Sequence, residues 1–480
     1  MSRISLPSLP PLGFALPRGP RLRRPRPPRL RLPPRPPLPL TATAVALLLA
    51  LPLGALLRWP RPEAEGLEKL LSAATLLQSF APSPDRPVPA LWQERLPAPL
   101  ATSLWRGQRR TWWQFWGVHS DVPPYLALPA TGPLSAPNTS LPANALRVDD
   151  LVVLAPDALS LRLLQDRLLP RQRRSRGLPG RCAERLRRAQ AVFWDPTALA
   201  VIVGPLAPLL QEFQEGCLVL DLDPLGLRWQ GEAASVEGVL LPLAIAPRLA
   251  DVPLQPPLPA DRLLEVEGDS LAPLMRGLLS RQLIRDPLGR NYEIDAQRQE
   301  LLRRSPFLLR LRPLAQGPFQ AGLELELEPG SDRAAWQSLL TDLASSLRRQ
   351  KLKPVAPRPA AVVPPSPSPT LAVNWQREDG TVVGGWRWLQ SAEGQARVLF
   401  FLGPPPPPAA PMGRETLRPG RGEMRLRARP AALETLGILP PLLPSIVRRS
   451  EQLWIEAAPP PGIDPAQPVS RLTGRLQVRR

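Results

Sequence analysis

Between Leu38 and Leu57 the chain runs for twenty residues, LPLTATAVALLLALPLGALL, without one charged side chain. At 1.5 Å per helical residue such a run crosses the ~30 Å hydrocarbon core of a bilayer, and Pro52 is tolerable within it. The pattern predicts a membrane-spanning helix over residues 38–58, with Trp59 where an interfacial aromatic anchor belongs. Nine arginines precede the run within the first forty residues, whereas Glu63 and Glu65 follow it closely. The positive-inside bias then puts residues 1–37 in the cytoplasm as a disordered Arg/Pro tail, and the bulk of the chain across the membrane. A cleaved signal peptide is the alternative; the long leading region and the lack of a small-x-small site argue against it.

Beyond the run, apolar residues recur with period two. In CLVLDLDPLGLRWQGEA, Leu218, Leu220 and Leu222 alternate with polar positions, and Leu227 and Trp229 continue after Asp223-Pro224-Leu225-Gly226. Asp first, Pro second and Gly fourth suit a type I turn, so this segment predicts a hairpin. The same four letters at Asp286-Pro287-Leu288-Gly289 predict a second turn. FLLRLRP and LELELEP form another expected pair, with Arg310 and Arg312 facing Glu324, Glu326 and Glu328. Five further alternating segments near the C-terminus, NWQREDGTVVGGWRW, ARVLFFL, EMRLRAR, QLWIEA and RLTGRLQVR, read as strands interrupted by one helical stretch.

Helical spacing is expected in LWRGQRRTWWQFWG. Trp105, Trp112 and Trp116 lie seven and four apart on one helical face, Trp113 falls off it, and Gly117 ends the helix. A core stripe, interfacial docking at the membrane and sugar stacking are all open to such a cluster. Pro-x-Ala-Leu follows a strand-like run three times, at Pro156, Pro196 and Pro430, which places each proline at the first position of a helix. Together these patterns predict an α+β fold, antiparallel sheets with helices on one face, after one N-terminal transmembrane helix. Composition divides the chain into the tail 1–37, the helix 38–58, a Trp-rich helical region 59–145, an α+β domain 146–352, a Pro-rich linker or loop 353–370 and a β-rich α+β region 371–480.

Proline (70 residues) and glycine (31) are abundant enough to discount arguments from any one of them. Lysine occurs only at Lys69, Lys351 and Lys353, so the basic residues are almost all arginine. The net charge of +20 suggests a polyanion partner, but eleven arginines and no acid fall in residues 1–61. Most of the excess is therefore local, which argues against nucleic acid and leaves membrane lipids as the expected partner of the anchor, with an unidentified protein partner beside them. The basic tail, the apolar run, WWQFWGVHSDVPPYLALP, the WDPTAL…GCLVLDLDPLGLRWQGEA unit and the closing RLTGRLQVR together resemble uncharacterised cyanobacterial single-pass membrane-anchored proteins. That resemblance implies a cyanobacterial setting, in the plasma or the thylakoid membrane.

Chemistry is limited by what the chain lacks. One histidine and two cysteines exclude a His-rich metal site, a zinc ribbon and an iron–sulfur cluster held by this chain alone. No Gly-Lys pair, G-x-S-x-G or H-E-x-x-H occurs, and no cofactor is expected. Asp221 and Asp223 are the candidate metal ligands, as a D-x-D pair, although a solvated strand end is the better reading of them. Glu265 and Glu267 share a strand face and are candidates for acid/base work. His119 and Asp121 are sequence neighbours, too close along the chain to form a triad with Ser120. Cys182 and Cys217 are candidates for a disulfide in an oxidising compartment. Residues 167–188 carry nine arginines against Glu184, suited to lipid headgroups, an acidic partner or plain solvation. The reading that follows is an anchored extracytoplasmic protein, periplasmic or lumenal, acting by protein or lipid contact without catalysis. The alternative is a carboxylate-dependent hydrolase or glycan-processing enzyme.

Overall fold

The alternating segments pair edge to edge. The structure, a computed structural model, describes residues 62–117, 123–134, 142–170, 172–175, 177–203, 210–236, 256–315, 317–355, 373–390, 395–407, 422–439, 443–460 and 468–478. The tail 1–37 and the run expected to span a membrane lie outside these residues. Among the described residues no helix is long and apolar enough to cross a bilayer.

The first half of the fold contains α1 (Leu67–Ala73), β1 (Leu76–Phe80), α2 (Ala90–Arg95), α3 (Ala98–Gly107), β2 (Trp112–Trp116), β3 (Tyr125–Pro129), β4 (Ala145–Val148) and β5 (Leu151–Leu154). It continues with α4 (Ala158–Leu168), α5 (Leu178–Arg188), β6 (Ala191–Trp194), α6 (Pro196–Val203), β7 (Glu215–Asp223) and β8 (Gly226–Ala234). The second half begins with β9 (Leu264–Gly268), α7 (Ala272–Leu279), α8 (Gln282–Tyr292), α9 (Ala296–Arg303), β10 (Phe307–Pro313), β11 (Ala321–Leu327), α10 (Arg333–Arg349) and β12 (Lys353–Val355). It ends with β13 (Val373–Gln376), β14 (Val382–Gln390), β15 (Ala396–Leu402), β16 (Met424–Ala428), α11 (Pro430–Thr435), α12 (Ser445–Arg448), β17 (Ser450–Ala458) and β18 (Val469–Val478).

These strands form one 18-stranded sheet, antiparallel throughout. Its order is β4-β5-β3-β2-β1-β6-β7-β8-β18-β17-β16-β9-β10-β11-β15-β14-β13-β12. Outward from the β8–β18 pair the two directions match strand for strand. One side runs β7, β6, β1, β2, β3, β5, β4, and the other β17, β16, β9, β10, β11, β15, β14. The fold is thus a duplicated unit, joined through its last strands. Pro196 and Pro430 open α6 and α11 at equivalent places, each between a strand and a hairpin. Pro156 does not open a helix: α4 starts at Ala158, behind Asp157, whose carboxylate accepts from the Ser160 N–H at 2.8 Å. A carboxylate cap satisfies an orphan N–H that proline merely lacks.

The expected α+β fold with helices on one face is overturned: the described strands make one large antiparallel sheet of 18, and in the first half helices cover both of its faces. There α1, α4 and α5 pack on the side of Trp113, Phe115, Tyr125, Ala127 and Val153. The other side, with Trp112, Leu126, Leu128, Val152 and Leu154, carries α2 and α3. Strands covered twice have no polar face to show, and YLALP and LVVL are buried at every position. In the second half α7 and α10 pack against Val266, Phe307, Leu327, Val398 and Trp386, with α11 on the same side over Leu264, Leu311 and Leu426.

Two local expectations also fail. The helix through Trp105, Trp112 and Trp116 ends at Gly107, and Trp112–Trp116 is a strand paired with β1. Trp112 and Trp113 therefore point to opposite sides, each into a core already roofed by helices. Asp286–Gly289 is no turn but part of α8, with Pro287 inside the helix. Asp223–Gly226 does turn, and Gly226 has φ of 139°, a conformation that suits glycine. At the β8–β18 seam, a Cβ on Gly474 would lie 2.4 Å from the Trp229 ring, so only glycine fits there.

Candidate functional site

Period-two patterning produces a paved ionic face. Asp221, Arg228, Arg475, Trp454, Arg427, Glu265, Arg310 and Glu324 form one cross-strand row from β7 to β11. One residue along each strand, Leu222, Leu227, Leu476, Leu453, Ala428, Leu264, Leu311 and Leu323 form the neighbouring row. Successive strand residues point to opposite faces, so the second row belongs to the apolar side. A one-residue slip would drive every charge into the core, which pins the register.

Glu265 is the centre of the ionic face. Only 3% exposed, it meets Arg262 Nη1 at 2.5 Å, Arg310 Nε at 3.4 Å and the Arg427 guanidinium. Burial pushes its carboxyl up, but Arg427, Arg262 and Arg310 outweigh that and hold it below the usual carboxylate range. Arg310 reaches on to Glu326 at 2.5 Å, Arg312 to Glu324 at 2.8 Å and Arg397 to Glu328 at 2.7 Å. Glu267, on the same side of β9, has Arg425 at 3.6 Å. Burial raises its carboxyl above the ordinary value, against the pull of Arg425. The pair thus sits together, as its spacing requires, with opposite shifts. Pro404, Pro406 and Pro407 also belong to this face: Arg312 donates to the Pro404 carbonyl at 2.7 Å, and Arg387 to Pro406 and Pro407 at 3.3 Å. Proline-rich backbone leaves its carbonyls free to accept such bonds.

Asp221 and Asp223 are held by arginine in the same way. Asp221 pairs with Arg228, and Asp223 with both Arg228, at 3.2 Å, and Arg475. No group of three or more metal-ligating side chains occurs among the described residues. Trp105 and Trp112 join Trp92 in an edge-to-face cluster with centroids 5.0–6.1 Å apart, and Phe80 stacks on Trp112 at 4.2 Å. Trp113 donates its indole N–H to the Leu186 carbonyl at 2.9 Å. Trp112 and Trp113 are core residues, and Trp116 is half-buried at the strand end. His119 and Asp121 lie outside the described residues.

A disulfide joins Cys182 on α5 to Cys217 on β7, with Cα atoms 5.8 Å apart. Beside it Glu232 receives Arg181 at 3.3 Å and Arg185 at 3.0 Å. Two arginines of the basic stretch 167–188 are therefore structural ties between helix and sheet.

Two of the cavities among the described residues gather acidic side chains. One of about 720 Å³ is lined by Asp295, Arg298, Glu300, Arg304, Glu328 and Asp332, acids and arginines intermixed. The other, about 470 Å³, is lined by Glu68, Gln172, Arg173, Asp195 and Glu215. Asp195 and Glu215 stand opposite one another just past the Trp194–Gly216 pair of β6 and β7. They are twenty residues apart in sequence, and no local pattern marks them; only the β6–β7 pairing brings them together. Asp195 also caps α6, accepting from the Ala198 N–H at 2.9 Å. No protein-family model matches this chain, and neither a curated protein nor a solved structure matches it.

Proposed function

We propose that this is an anchored extracytoplasmic protein that acts by contact with protein or lipid rather than by catalysis. The apolar run Leu38–Leu57 is the anchor of this reading, and the Cys182–Cys217 bridge suits an oxidising compartment beyond the bilayer. One observation carries the non-catalytic part. The carboxylates with the pattern of acid/base or metal chemistry, Glu265, Glu267, Asp221 and Asp223, are each engaged by arginine. Three guanidiniums hold the Glu265 carboxyl below the usual range, which makes it a poor proton carrier near neutral pH and leaves Glu267 without a second carboxylate to work with. A reporter active only outside the cytoplasm, fused after residue 480, is expected to give signal, while a cytoplasm-only reporter stays dark. The reverse pattern overturns the placement.

The cavity at Glu68, Asp195 and Glu215 favours a second reading, a carboxylate-dependent glycan hydrolase, because three acids share one recess there. Purified full-length protein is incubated with chromogenic glycosides, alongside Asp195→Asn and Glu215→Gln variants. Turnover that both variants abolish at unchanged melting temperature would replace contact with catalysis.

A further inference from the structure

Three large leucines at one end of the first half face water. On α4 and directly after it, Leu159, Leu163 and Leu169 are 67%, 36% and 77% exposed. Leu159 and Leu163 lie four apart and so share a helix face, while Ser160 and Leu164 are buried on the other. Arg162, Arg167, Arg173 and Arg174 are exposed around them. Asp166, three residues after Leu163 and seven after Leu159, is exposed on that same face, and Arg174 also meets Glu68 at 3.0 Å. An apolar stripe rimmed by arginine stems is the composition of an element that lies in a headgroup layer.

The chain's own path says which layer. Arg174 N–H donates to the Pro62 carbonyl at 2.9 Å, and Ala64 N–H to the Gln172 carbonyl at 2.8 Å. The Gln172 side-chain amide donates in turn to the Arg167 carbonyl in the last turn of α4, at 3.1 Å. The first described residues are therefore tied directly to the end of α4. Leu57, the last residue of the apolar run, precedes Pro62 by five residues, a span of at most about 18 Å when fully extended. A bilayer that holds Leu38–Leu57 lies within that reach of residues 172–174.

We infer that the exposed face of α4, with Leu169, Arg173 and Arg174, docks on the headgroup region of an anionic bilayer, the same one that anchors the chain. This rests on the anchored reading above. Docking at two points, anchor and helix, sets the orientation of the sheet to the membrane instead of leaving it on a free tether. It also moves lipid contact from Trp105, Trp112 and Trp113, which are buried, to leucines and arginines that are not.

The test uses the full-length chain in nanodiscs of phosphatidylcholine with or without phosphatidylglycerol. Leu169→Cys carries an environment-sensitive fluorophore, and Leu283→Cys on α8, where the leucine is 90% exposed, serves as the comparison. The native cysteines are bridged and buried, so they take no label. Bromolipid quenching is expected to be at least about threefold stronger at residue 169 than at residue 283 in anionic discs. At roughly fivefold in the docking equilibrium per arginine removed, Arg162→Glu, Arg167→Glu and Arg173→Glu together should abolish the difference. Equal quenching at both positions, or quenching indifferent to phosphatidylglycerol and to charge reversal, overturns the proposal. Vesicle flotation of the chain with its arginines intact separates the two ideas: loss of flotation sinks the anchor, whereas flotation without quenching at residue 169 sinks only the docking surface.

Discussion

Replacing Glu265 by glutamine tests whether the ionic face stabilises the sheet. Glutamine keeps the shape and one carbonyl acceptor but removes the charge that faces Arg262, Arg310 and Arg427. Removing one partner of a buried ion pair costs ~3–5 kcal/mol, because the other charge stays buried without compensation. Arg262 and Arg427 are 24% and 26% exposed, so water screens part of that loss, and Arg310 keeps Glu326 at 2.5 Å. The lower end, ~3 kcal/mol at pH 7, is therefore expected. The pH dependence has a definite sign. The Glu265 carboxyl is depressed in the folded state from its ordinary 4.5, so its contribution is present above that value and is lost as pH falls through the folded one. Wild type and Glu265→Gln should thus converge in acid. Glu267 runs the other way: its carboxyl is raised by burial, so Glu267→Gln should be neutral or stabilising at pH 7. Urea unfolding of the full-length chain in one detergent, followed by tryptophan fluorescence at pH 7, 5.5, 4 and 3, measures both. A Glu265→Gln loss within about 0.5 kcal/mol of zero at pH 7, the range of an ordinary surface change, would refute the reasoning. So would a larger loss for Glu267→Gln.

Two further outcomes can be checked in the same preparation. Closing the separation of 35 residues between Cys182 and Cys217 should stabilise the fold by ~3–4 kcal/mol relative to a Cys182→Ala, Cys217→Ala chain, and thiol titration of the unreduced, denatured protein should find no free cysteine. Trp112→Ala, which empties the centre of the Trp92–Trp105–Phe80 cluster, should cost ~3–5 kcal/mol, with a clearly smaller loss for the half-buried Trp116→Ala. Equal losses at the two positions would mean that the strand is not seated as described.

Much of the second half was legible in the sequence because its sheet has one charged face and one apolar face. Alternation along FLLRLRP and LELELEP marks both faces at once, and the two segments pair as β10 and β11 with arginine opposite glutamate. The same holds for the hairpin of β7 and β8 around Asp223–Gly226. The candidate acids Glu265 and Glu267 do share a strand face, but of the three arginines around Glu265 only Arg262 is local; Arg310 and Arg427 come from β10 and β16, distant in sequence.

What only tertiary structure decided lies where the pattern is silent or ambiguous. Trp112–Trp116 is buried from both sides, so its apolar positions obey no single period, and the spacing of Trp105, Trp112 and Trp116 imitates a helix. Asp-Pro-Leu-Gly turns where two strands flank it and becomes part of α8 where neighbouring helices do. Asp195 and Glu215 enter one recess through strand pairing alone. Local sequence dictates which side chains can share a face, since that follows from backbone geometry within a few residues. Which second surface covers that face depends on long-range pairing, and the duplicated order of this sheet emerges only when strands hundreds of residues apart meet.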